Sequence, residues 1–97
     1  MKPERMLEEL EQLAGQLGIS LRYERGDFEG GYCILREKRL ILVNRRLEVK
    51  RKTIVLALAL SEIGVDTVFV KPAVREFIED EVAKNMHPVP GKRPADH

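Results

Sequence analysis

Cysteine is nearly absent from this chain of 97 residues, where Cys33 stands alone. One thiol excludes an internal disulfide and any thiolate metal cluster. Tryptophan is missing, and two tyrosines and three phenylalanines are the only aromatics. Histidine occurs only as His87 and His97, within a proline-rich terminal stretch, so no imidazole is preorganised for metal binding or proton transfer. No apolar run approaches the ~20 residues needed to span a bilayer. The amino-terminal residues lead into a charged amphipathic stretch rather than an apolar leader, which predicts a cytoplasmic protein with no membrane partner. A formal net charge of +1 removes any global electrostatic case for nucleic acid.

What is present suits one small domain. Apolar residues make up 43% of the chain and charged residues 34%, enough for one packed core under a charged surface. Met6, Leu7, Leu10, Leu13, Ala14 and Leu17 recur at three- and four-residue steps, predicting an amphipathic helix from Pro3 to Leu17 that stops at Gly18. Ile19, Leu21 and Tyr23 alternate with polar residues, the period of a half-buried strand. Tyr32–Leu35 and Leu40–Val43 flank Arg36-Glu37-Lys38-Arg39 and predict a hairpin; no Asn-Gly or Asp-Gly marks it, so its turn type stays open.

The run Ile54-Val55-Leu56-Ala57-Leu58-Ala59-Leu60 is apolar on every face, predicting a central helix over 48–63 that protein covers all round. Val65–Val70 reads as a short extended piece or a loop. Pro72 opens a last helix, with Val74, Phe77, Ile78 and Val82 on one face and Glu76, Glu79, Asp80 and Glu81 on the other. The expectation is an α+β domain over 1–85, ordered α-β-β-β-α-α, with a small three-stranded antiparallel sheet. Residues 86–97, rich in proline, read as a disordered tail.

Few residues offer chemistry. Cys33 sits between Tyr32 and Ile34 with no base near it in sequence, and reads as a small buried hydrophobe. Gly30-Gly31 precedes a strand rather than Lys-Ser/Thr and a helix, so it reads as a junction needing positive φ and not as a phosphate loop; no cofactor is expected. Phe28 beside it is either a lid over the core or an exposed anchor for a partner. Arg36 to Lys52 holds eight basic and two acidic residues, and Arg45, Arg46, Lys50, Arg51 and Lys52 are candidate phosphate or partner contacts. A solvated charged face is the plainer reading. Glu62, near the end of the apolar helix, is a surface acid, a paired internal acid or the remnant of another site.

From Gly30-Gly31-Tyr32 through Leu40-Ile41-Leu42-Val43-Asn44 to Leu56-Ala57-Leu58-Ala59-Leu60-Ser61-Glu62, the chain resembles the minimal zincins of the IrrE/ImmA type. Matching Leu56-Ala57 to the family's Leu-Ala puts Leu58 at the first histidine ligand, Ala59 at the general-base glutamate and Glu62 at the second histidine. The resemblance implies a zincin-like scaffold without its metal site, since two of these three residues are apolar. The reading is therefore a non-catalytic interaction or regulatory module, forming a homodimer or binding another protein. A nucleic-acid-binding accessory protein using the basic 36–52 segment is the alternative.

Overall fold

A computed structural model describes residues 1–86; the tail, with His87 and His97, lies outside the described residues. The elements are α1 (Pro3–Gln16), β1 (Ser20–Glu24), β2 (Gly30–Leu35), β3 (Lys38–Asn44), α2 (Val49–Ile63) and α3 (Pro72–Met86), in the expected order. Val65–Val70 is a loop, anchored by buried Val65 and Val70 and carrying the exposed Phe69.

Proline at the first helical position starts α1, and Met6, Leu10, Leu13 and Ala14 form its buried stripe. The helix ends where Gly18 adopts φ 73° and the Ile19 N–H returns to the Ala14 carbonyl at 3.0 Å. Glu9 is buried on the same helix and accepts contacts at 2.9 Å from both Lys71 and Arg5. The Lys71 hydrogen bond, reinforced by both positive charges, holds its carboxyl below the usual range. A depressed folded-state pKa stabilises the fold above the ordinary carboxylate pKa, and that gain disappears as pH falls through the lowered value. Lys71→Met is therefore expected to lower the melting temperature at neutral pH, with the two proteins converging in acid. Thermal melts across pH check this; a gap unchanged in acid would rule out the linkage.

The sheet order is β1-β3-β2. β2 and β3 form the expected antiparallel hairpin, while β1 pairs with β3 in parallel, Leu21 beside Ile41 and Tyr23 beside Val43. The sheet is thus mixed rather than antiparallel: the 25–29 loop carries the chain past β3, so β2 closes on its far side. The hairpin turn places Arg36 at φ 52° and Glu37 at φ 68°. Both signs are those of the tight type I′ turn, reached without the usual glycine or asparagine.

Alternation along the strands sends Ile41 and Val43 into the core with Leu10, Leu56 and Leu60, all fully enclosed. The helices occupy this one face: α1 meets β1, and α2 meets β2 and β3. Leu40 lies on the opposite face, hidden by its strand neighbours yet apart from the core cluster.

α2 is central but not covered all round. Thr53, Val55, Leu56, Ala57, Ala59 and Leu60 are buried, whereas Arg51 and Glu62 are exposed and Ile54 and Leu58 half-buried. α1, α3 and the sheet pack against α2, and among the described residues one flank of it stays partly open. On α3, Glu81 departs from the expected acidic outer face, being buried with its carboxylate 3.3 Å from Lys84. No helix among the described residues is long and apolar enough to cross a membrane.

Candidate functional site

β2 is an outer strand, and its sequence Gly-Gly-Tyr-Cys-Ile-Leu contains no charge and no proline. Its C-terminal half is open to solvent: Cys33 is exposed, Ile34 is 64% exposed and Leu35 53%. The expected burial of Cys33 is thereby corrected. Cys33 pairs with Leu40 on the sheet face that no described helix covers, so its side chain meets solvent. Leu35 and Leu40 floor a hollow on that face, ringed by Ser20, Arg22, Arg36 and Lys38.

Backbone direction along β2 is set at its start. The Asn44 N–H donates to the Glu29 carbonyl at 2.9 Å, so Glu29 faces β3. Antiparallel alternation then turns Gly31, Cys33 and Leu35 toward β3 and leaves the N–H and C=O groups of Gly30, Tyr32 and Ile34 directed away from the sheet. The opposite outer strand is different. β1 carries Arg22 and Glu24, joined at 2.7 Å, the kind of charge that blunts an edge.

The segment feeding β2 is held from β3. Asn44 Nδ2 donates to the carbonyls of Gly26 at 2.8 Å and Phe28 at 2.7 Å, while Oδ1 accepts the Arg46 N–H at 2.9 Å. This side chain is buried, and its two Nδ2 bonds fix the loop that aims β2 while the Arg46 bond fixes the turn after β3. Asn44→Ala is expected to destabilise the domain by about 2–3 kcal/mol, because two loop carbonyls lose their donor. Urea unfolding measures this, and a loss within about 0.5 kcal/mol, the level of an ordinary surface change, would show the loop to be held otherwise. Phe28 is no lid over the core: it is half-buried, with its ring folded back over Gly26.

β3 runs through the middle of the basic segment and divides it. Arg36, Lys38 and Arg39 lie at the hairpin end, and Arg45, Arg46 and Lys50 beyond the other end. A seven-residue strand separates them by about 20 Å. Arg51 is engaged by Glu29 through two contacts, at 2.5 and 2.7 Å, which lower the Glu29 carboxyl and raise the guanidinium. Lys52 stands 5.3 Å above the Tyr23 ring. The Tyr23 hydroxyl donates to Glu11, and burial together with that carboxylate pushes its pKa up.

Arg51 also orients α2. Its reach to Glu29 shows that this face of the helix looks toward β2, and Leu58 and Glu62 follow on the same face two and three turns later. Ala59 is buried. Of the three positions singled out by the zincin resemblance, Leu58 and Glu62 thus lie on the Arg51 face, half-buried and exposed, and one lies inside. Among the described residues no group of three or more histidine, cysteine, aspartate or glutamate side chains is placed to hold a metal ion.

The uncharged edge was not singled out from the sequence. Its signal was there, since β2 alone of the three strands lacks a charged residue, but which strand lies outermost is a tertiary fact. Comparison with family models, with curated proteins and with solved structures finds no match to this chain.

Proposed function

We propose that this chain is a non-catalytic interaction module that self-associates, with the free edge of β2 as its docking element. One observation carries the reading: among the described residues β2 presents unpaired backbone groups beside exposed Ile34 and Leu35, with no charge or proline in the strand and no element covering its edge. Half-buried Leu58, on the Arg51 face of α2, is a further partly exposed apolar side chain.

A nucleic-acid role for Arg45, Arg46, Lys50, Arg51 and Lys52 has weaker support. Arg51 is committed to Glu29 and Lys52 to the Tyr23 ring, and the remaining cations are parted from those of the hairpin end. The zincin-like scaffold rests on the sequence resemblance alone, and it adds no activity to the proposal.

Light scattering after size-exclusion chromatography tests the reading. The wild-type chain is expected to move toward dimer as concentration rises, and Ile34→Lys to hold it monomeric. Ile34 is mostly exposed, so this change should alter stability by no more than about 0.5 kcal/mol, separating lost association from lost folding. A wild-type chain that stays monomeric at every concentration would remove self-association.

A further inference from the structure

We infer that the occupant of the β2 edge is β2 of a second copy, antiparallel, with the twofold axis passing through Cys33. This rests on the proposal that the edge self-associates, and adds which residues meet.

The outward-facing backbone restricts the register. Only Gly30, Tyr32 and Ile34 offer groups to a partner, so a symmetric antiparallel pairing must join members of this set. An axis through Cys33 puts Tyr32 opposite the partner's Ile34, and Ile34 opposite the partner's Tyr32. Leu35 then faces the partner's Gly31, whose missing side chain leaves room for it. Every exposed apolar residue of β2 gains an apolar neighbour or an open site.

The other symmetric registers do less. An axis through Tyr32 sets Ile34 against Gly30, Cys33 against Gly31 and Leu35 against Glu29, so apolar side chains meet glycine or carboxylate. An axis through Ile34 overlaps fewer strand residues and brings Tyr32 to the partner's Arg36, already in the turn.

Charge also favours antiparallel pairing through Cys33. The hairpin end, with Arg36 and Lys38, approaches the loop of the second copy that carries Asp27, beside Arg25 and a Glu29 already paired with Arg51, and Arg36 arrives opposite Gly30. Symmetry repeats the contact at the other end. The product is one continuous sheet of six strands in which neither uncharged edge remains.

In this register Cys33 and the partner's Cys33 form a non-hydrogen-bonded pair. Cα atoms in such pairs lie about 4.5 Å apart, within the range that a disulfide bridges. Mild oxidation of the wild-type protein with diamide, followed by non-reducing electrophoresis, therefore reports the register. The comparison proteins are Cys33→Ser carrying Tyr32→Cys, and Cys33→Ser carrying Ile34→Cys, which probe the two neighbouring axes.

The wild type is expected to cross-link at least about tenfold faster than either, because only its thiols sit directly opposite. Adding Ile34→Lys to the wild type should abolish the cross-link. Faster cross-linking of either comparison protein would overturn the Cys33 axis while leaving self-association intact. A dimer by light scattering that none of the three thiols cross-links would overturn β2 pairing. A strict monomer would overturn this inference and the proposed function together.

Discussion

Alanine in place of Gly30 is expected to detach β2 from the sheet. A Cβ at this position would stand 2.0 Å from the carbonyl oxygen of Leu42, and 2.9 Å from both the Leu42 carbonyl carbon and the Val43 Cα. All three atoms are backbone of the central strand, so no side-chain rotation relieves the clash. The φ of 130° adds strain for any residue with a side chain. We expect a loss of about 3 kcal/mol or more, which lowers the melting temperature of a domain this size by roughly 15 °C. Circular dichroism measures the shift. Hydrogen exchange localises it: the amides of Leu40 and Leu42, which face β2, should lose protection, while those of Ile41 and Val43, which face β1, keep more of it. Gly31→Ala is the control, since nothing lies within 4 Å of the added carbon and only backbone strain remains. Equal losses at the two glycines would mean that the close approach of β2 to Leu42 is not what requires Gly30.

Leu56→Ala is expected to cost about 2–5 kcal/mol, a large part of the stability of a domain this small. Leu56 is fully enclosed among residues of α1, α2, α3 and the sheet, so its removal leaves a cavity that no single element can collapse to fill. Leu58→Ala should cost about 1 kcal/mol or less, because that side chain is already partly in solvent. Urea midpoints for the pair measure the rotation of α2 about its axis. If Leu58 proved the costlier site, the flank of the helix read as partly open would be the wrong one.

The two leucines lie within one apolar run, and their difference shows what sequence could and could not convey. The six elements and their order follow from periodicity, from Pro3 and Pro72 as helix starts, and from Gly18 and Gly64 as stops. Which side of α2 lies open does not follow, because a run of leucine and alanine looks the same from every direction. The strand order was hidden for a related reason: Leu21 and Tyr23 alternate identically whether their neighbour runs parallel or antiparallel. Cys33 was misread because β2 is apolar on both faces, so alternation gave no clue to the face in solvent.

Other features were within reach. A strand through Leu40–Val43 must hold apart whatever flanks it, so the division of the basic segment was implicit in its own hairpin. Asn44 is different: nothing local marks it as the residue that pins the 26–28 loop, since its two carbonyl partners lie 16 and 18 positions earlier.

The strand order β1-β3-β2 also bears on how the chain is made. Synthesis proceeds from the amino terminus, so β1 is produced first and is the strand that must wait longest for its partner. When β2 emerges it is no neighbour of β1, and the sheet cannot begin until β3 follows. Among the described elements, α1 precedes β1 and packs against it, with Ile19, Leu21 and Tyr23 in one cluster with Leu10, Leu13 and Ala14. The first helix is thus placed to cover the earliest of the three strands until the last of them arrives.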